Sequence, residues 1–476
     1  MRDISETLGR QPGASASGAF VHLLAESFYR HRAIHAVALF TLGLSFMIGA
    51  RVGNRPDFGL LVEYGFYLGV YSWVVGCVYA AFRLLWLAIV DGATSPLRLF
   101  LNSFWELLSD RRRIANGVNG LVAIMAFISG FTVLKGAIAL LAPFSWDQAF
   151  AQFSVGLHFG RPTYQWVWWI VESPLAVHFL NLCYNLWFVV LLSAIFSSVA
   201  AARDSLLRHQ FLLSFMLVWL IGGFGIALIF SSAGPCYYAR LGLGDLYQPL
   251  MDALQSANRQ YPIWALSLQD RLWDGYQGLP SGSMGISAFP SMHVASAVLI
   301  ALYATRLSVS LGTLMWIFAV LIMLGSVVLG WHYAIDGYAG ALIALAIWKI
   351  TGAALSRADA RTITVLEELS GLGALPLICL RRNRPMAWPW TTALIHAKSF
   401  ADNWIRKTGA PQKPDPKASE TPLAPPLPSE AAGGSHPRIA RHRGVTYRLP
   451  NHTRQAGAPL PATGVQAKAR DHWARR

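Results

Sequence analysis

The chain has 476 residues, of which 54% are hydrophobic, 12% aromatic and only 13% charged, with 18 Trp and a formal net charge of +15. A soluble domain carries about 25% charged residues, so this chain has too little polar surface for water, and both a soluble enzyme and overall disorder are set aside. A mean hydropathy of +0.41 directs the reading to an all-α polytopic membrane protein.

The first apolar run begins only near Ala33. The polar stretch 1–32 is expected to be a cytoplasmic segment, and the run after it a retained anchor without a small-residue cleavage site. Runs of about 17–25 apolar residues mark spans. They fall near 33–50, 62–90, 116–142, 175–200, 210–232, 291–305, 311–331 and 335–356, eight in all. The second contains Arg83, and the sixth is short and follows Pro290, a residue suited to a helix's first turn. Segment 94–113 reads as a cytoplasmic interfacial helix, and the long 233–290 segment as short helices in the interface. The first two spans and the interfacial helix, 33–115, read as an accessory layer on a six-helix domain over 116–356.

Charge sets the orientation. Arg30, Arg32, Arg98, Arg111, Arg112, Arg113, Arg203, Arg208 and Arg306 all fall on one side if the N-terminus is cytoplasmic; Arg51 and Arg55 are exceptions. The C-terminus then lies inside too. Residues 357–407 are expected to be semi-ordered, and 408–476, rich in Pro, Ala, Gly, Lys and Arg, disordered. Residues 381–476 hold 17 Lys and Arg against 5 Asp and Glu. On a membrane protein such a tail reads as a topology determinant or a contact with anionic lipid, and not as a nucleic-acid arm. Cys77, Cys183, Cys236 and Cys379 form no CxxC or CxxH pair, so neither a zinc site nor a disulfide framework is expected.

Two places carry chemistry. Ser287-Ala288-Phe289-Pro290-Ser291-Met292-His293 and Gly330-Trp331-His332-Tyr333-Ala334-Ile335-Asp336 both fall at the extracytoplasmic end of a span. Antiparallel neighbours would bring the two imidazoles to one depth. His332 ends the ascending span or sits in the turn that starts the next; it and Asp336 are i and i+4, so on a helix the carboxylate can accept from one ring nitrogen and leave the other free to act. A second imidazole at that depth can protonate a departing oxygen. The three together suit attack on phosphorus. A phosphoryl group also needs positive charge around it, and Lys135, Arg240 and, more weakly, Arg271 lie on that side. Asp147 and His158 read as capping and packing residues, and Tyr184 and Asn185 as hydrogen-bonding glue between helices.

The stretch AFPSMHVASA, followed 39 residues after its histidine by HYAIDGYAG, resembles the type 2 phosphatidic acid phosphatase superfamily. It is most similar to the branch that contains fungal inositol phosphorylceramide synthase. PFSWDQAFAQFSVGLHFGRP, LCYNLWF and SSAGPCYYAR are similar to segments of bacterial members, and the likeness covers about 130–356. The resemblance implies a six-helix core, His332 as nucleophile, Asp336 as its partner, His293 as general acid, Ser291 on a phosphate oxygen, and no metal or other cofactor. Its substrates would be phospholipids or sphingolipids, and its site would open to the extracytoplasmic side of an inner or plasma membrane. The chain departs from the wider superfamily at Ser326, where that superfamily has Arg, and at Met292, where it has Gly; Gly234-Pro235 stands where a Lys and Arg-Pro motif is missing. These departures match the synthase-like branch. The expectation is therefore transfer of a phosphoryl or phospho-alcohol group between lipids through phosphohistidine, with hydrolysis of a lipid phosphate as the alternative. A non-catalytic transporter or scaffold is the second alternative, but a transporter should show broken helices and inverted repeats near mid-membrane.

Overall fold

The computed structural model describes residues 16–53, 70, 76–77, 80–199, 201, 205–279 and 285–371, with side chains followed to 358. The chain divides into Met1–Trp388 and Pro389–Arg476, and the second unit lies outside the described residues. So do residues 372–407 and the 408–476 tail.

Helices form where the apolar runs predict them. In chain order they are α1 (Ala16–Arg30), α2 (Arg32–Val52), α3 (Ala80–Ile89), α4 (Pro96–Ser109), α5 (Arg111–Leu141), α6 (Asp147–Leu157), α7 (Pro174–Val199), α8 (Leu206–Ile229), α9 (Gln248–Asn258), α10 (Trp264–Tyr276), α11 (Met292–Leu307), α12 (Val309–Val328) and α13 (Ala334–Gly371). No strand occurs among the described residues. Six helices there are long and apolar enough to cross a membrane: α2, α5, α7, α8, α12 and the Ala334–Ala358 part of α13. The sixth predicted span is the shorter apolar helix α11. Of the second, most lies outside the described residues and α3 is its tail. The last span overruns its predicted end at 356, because α13 continues to Gly371.

α11 is the central helix. Ala295, Ser296, Ala297, Ala301 and Ala304 are all buried, and their small side chains let α7, α8, α12 and α13 approach closely. Ser291 caps its start by accepting from Val294 N, and Ser308 caps α12 by accepting from Leu311 N. α2 packs on α5 through a similar close approach, since a Cβ on Gly130 would lie 3.0 Å from the Leu42 backbone. Within α8, Val218–Ile226 winds as a π-helix. There Gly222 and Gly223 face Met292, and Trp219 Nε1 donates to Ser296 Oγ at 3.0 Å.

The helix direction alternates, so the starts of α5 and α8 share an end with Arg306, and the turn after α12 shares the other end with His293. Helices α9 and α10 belong to this histidine end. Gln269 Nε2 donates to the Leu329 carbonyl at 2.9 Å, and Tyr237 Oη donates to the Gln269 carbonyl at 3.0 Å. The 233–290 segment, expected to form short interfacial helices, thus packs part of α10 onto the turn that follows α12.

Candidate active site

His332 lies in the turn between α12 and α13, not on a helix with Asp336. Gly330 closes that turn at φ 72°, and Trp331 N and His332 N both donate to the Ser326 carbonyl at 3.1 Å. Asp336 stands in the first turn of α13. Its Oδ2 accepts from Tyr333 N at 3.0 Å, which caps the helix, and lies 3.4 Å from His332 Nδ1. That is ion-pair reach without hydrogen-bond alignment, and neither His332 Nδ1 nor Asp336 Oδ1 has a hydrogen-bond partner among the described residues. His332 is 7% exposed and Asp336 fully buried.

His293 is the second residue of α11. Its ring centroid is 6.4 Å from that of His332, with the planes at 58°. The two segments are tied directly, because Ser291 N donates to the Asp336 carbonyl at 2.9 Å. α7 supplies a wall of rings at i, i+3 and i+4. Tyr184 stacks on His293 at 4.4 Å and 20°, Trp187 sits over it at 4.2 Å, and Phe188 meets it edge-on at 6.2 Å. Trp187 Nε1 donates to the His293 carbonyl at 3.1 Å.

The loop after α8 braces both histidine segments. The Ser232 carbonyl accepts from Ala288 N at 2.8 Å and its Oγ from Phe289 N at 3.2 Å, while Cys236 N donates to the Gly330 carbonyl at 2.9 Å. Gly234, at φ 105°, is the close approach, where a Cβ would collide with the Trp331 carbonyl. Asp147, fully buried at the start of α6, locks this arrangement. It accepts from Ala233 N at 2.7 Å, Gly234 N at 2.8 Å and Tyr333 Oη at 2.9 Å. Burial pushes its carboxyl above the usual range, and the three donors draw it partly back. Burial also holds the Tyr333 phenol well above its ordinary value, so it stays a donor.

The residues expected to bind phosphate separate. Lys135 Nζ donates to the Ser287 carbonyl at 3.4 Å, beside the strand of chain leading to His293. The Ser291 hydroxyl is buried and faces its own helix, accepting from Val294 N at 3.5 Å. Arg240 forms an ion pair with Asp270, stands 5.7 Å over the Trp273 ring, and has a side chain 40% exposed. A cavity beside His332 is lined by Ser154, Thr163, Tyr164, Tyr247 and Tyr333; His293 does not border it. His158 Nε2 meets Tyr338 Oη at 3.0 Å, and Asn185 donates to its own helix at Asn181 O.

Two residues act beyond the roles the sequence suggested. Asp147 is a brace for the loop and the His332 turn, where capping and packing were expected. Its signal was a lone acid among apolar residues together with the successive free N–H groups that a Gly-Pro bend offers to an anion. Tyr184 makes no interhelical hydrogen bond, and its buried hydroxyl is unpartnered among the described residues. No group of three or more His, Cys, Asp or Glu side chains among the described residues is arranged to hold a metal ion.

The helices and this site define an all-α polytopic membrane protein that gathers two histidines and a buried aspartate at one end of its bundle. Residues 151–350 match the model of a family described as the PAP2 superfamily. The matched stretch contains Tyr184, His293, His332 and Asp336, and begins after Lys135 and Asp147. No curated protein and no solved structure gives a significant match.

Proposed function

We propose that the chain is a membrane lipid phosphotransferase working through a phosphohistidine at His332. The observation that carries this reading is the pairing of His332 with Asp336 at 3.4 Å and with the His293 ring at 6.4 Å, inside the stretch that matches the PAP2 superfamily. Asp336 faces Nδ1, which leaves Nε2 as the attacking atom. The Nε2 lone pair forms a bond to phosphorus, the bond to the leaving oxygen breaks, and His293 gives that oxygen its proton. An alcohol or water then gives its proton to His293 and attacks phosphorus, and the P–N bond breaks. Lys135 supplies positive charge beside the His293 segment.

Transfer is preferred to hydrolysis because Ser326 and Met292 depart from the wider superfamily as the inositol phosphorylceramide synthase branch does. Phospholipids or sphingolipids are the substrates on this reading. The arginine-rich helix ends support a reading with the N- and C-termini in the cytoplasm and the histidine end outside, with the basic tail against anionic lipid.

Purified protein given donor lipid labelled on phosphorus should form an acid-labile, base-stable phosphoenzyme. His332→Ala should abolish both this label and turnover, by at least about 10⁴-fold. Full function in that variant would support transport or scaffolding. Free phosphate or phospho-alcohol released in quantity without any acceptor would replace transfer by hydrolysis.

A further inference from the structure

The proposed reaction lacks donors for the phosphoryl oxygens. A phosphoryl group in transfer spreads its charge over three equatorial oxygens. Of the candidates expected to meet it, Ser291 caps its own helix and Arg240 is paired with Asp270, which leaves Lys135. The structure holds one further hydroxyl in a telling position. Tyr184 is 6% exposed, lies flat on the His293 ring at 4.4 Å, and its Oη has no hydrogen-bond partner among the described residues. A buried hydroxyl without a partner costs about 1–3 kcal/mol, and a phenylalanine would give the same stacking without that cost. The electrostatic neighbours of this hydroxyl are Cys236 and Asp336, and Cys236 N is itself bonded to Gly330 O. The ring covers His293, whose own ring lies 6.4 Å from that of His332. An edge of the same ring limits how α12 packs, since a Cβ on Gly325 would stand 3.2 Å from Tyr184 Cδ2.

We propose that Tyr184 is a catalytic residue whose hydroxyl donates a hydrogen bond to a non-bridging oxygen of the phosphoryl group passing between the leaving oxygen and His332. This rests on the reading of His332 as the nucleophile. No proton is transferred. The hydroxyl keeps its hydrogen, and its bond strengthens as charge gathers on the oxygen. Tyr184 thus joins the acid to the group being moved, with the ring on one and the hydroxyl on the other. The ligand class is a phosphate mono- or diester.

The test is a rapid-quench measurement of phosphoenzyme formation from labelled donor lipid, in wild type and in Tyr184→Phe, with a thermal melt of each in the same detergent. Tyr184→Phe keeps the ring and removes only the unpartnered hydroxyl. The expected result is labelling slowed about 100-fold, as for loss of one oxyanion donor, with a melting midpoint equal to wild type or higher. Labelling at the wild-type rate would overturn the proposal and leave the phosphohistidine reading standing. A lowered melting midpoint with slow labelling would also overturn it, because the hydroxyl would then be structural. Absence of any acid-labile label in wild type would remove the nucleophile reading itself, and this proposal with it.

Discussion

His293 and His332 are held by opposite means. His332 is fixed by polar partners: the Ser326 carbonyl takes its backbone N–H, Asp336 faces Nδ1, and the Asp147–Tyr333 bond anchors the next residue. His293 is fixed by surfaces, with Tyr184 and Trp187 against its ring. A carboxylate imposes one tautomer and favours the imidazolium that develops, which suits a nucleophile. Aromatic faces impose a plane without consuming a ring nitrogen. That suits a group whose proton must leave and return. On the proposed mechanism, two chemically identical side chains would take different tasks from their neighbours.

The largest test of this contrast is Asp336→Asn. The amide keeps the shape but offers the wrong group to Nδ1, and kcat should fall by about 10³–10⁴-fold, read from steady-state turnover; a loss under tenfold would dissolve the polar half of the comparison. Next comes Gly234→Ala. A side chain there meets both a φ of 105° and the Trp331 carbonyl, so the His332 turn must move. We expect kcat to drop about 100-fold, with a lower melting midpoint and little change in KM. Trp187→Phe sharpens the other half. It keeps an aromatic face and loses the 3.1 Å bond to the His293 carbonyl, worth about 1 kcal/mol. Turnover should fall by about fivefold, whereas Trp187→Leu should cost clearly more. Equal losses in the two would mean the ring face contributes nothing.

The smallest expected effect is a pH slope in stability. The Asp147 carboxyl is held above its ordinary value by burial. The folded state therefore binds that proton more tightly than the unfolded chain. Its contribution to stability is complete below the unfolded carboxylate range and is lost as pH rises through the raised value. Melting midpoints of wild type should fall over that window relative to Asp147→Asn, which cannot titrate; parallel curves would contradict the assignment.

The spans were legible because apolar length is a local signal. Helices α2, α5, α7, α8, α12 and α13 begin within five residues of the runs at 33, 116, 175, 210, 311 and 335. His293, His332 and Asp336 were also legible, since their motifs sit at span ends whose depth charge could assign; the structure brings all three together. What the sequence hid depends on packing between distant segments. Asp147 and Tyr333 are 186 positions apart, and no spacing rule predicts their bond. Arg240 was expected near phosphate as a positive charge on the histidine side, but Asp270, brought alongside by α10, takes it up. Tyr184 was read from its type alone, as hydrogen-bonding glue, because only the neighbouring helix reveals that its ring lies on His293. For His332 the sequence left two places open, the end of the ascending helix or the turn that starts the next, and the structure takes the turn. Gly330 ends α12 early enough to put His332 in a turn, and the carboxylate reaches it from the next helix.

The π-helical stretch Val218–Ile226 carries a consequence for insertion and deletion. A wide turn accommodates an additional residue relative to an α-helix, and each residue of an α-helix turns the axis by about 100°. Below the stretch, Ser214 Oγ meets Thr351 Oγ1 at 2.5 Å; within it, Gly223 lies against Phe131 and Met292. Removing one residue between 218 and 226 would let the segment tighten toward an α-helix while the faces on either side keep their partners. Single-residue deletions should therefore be tolerated better there than in the α-helical Leu206–Leu217 stretch before it, where each would rotate the buried face by about 100°.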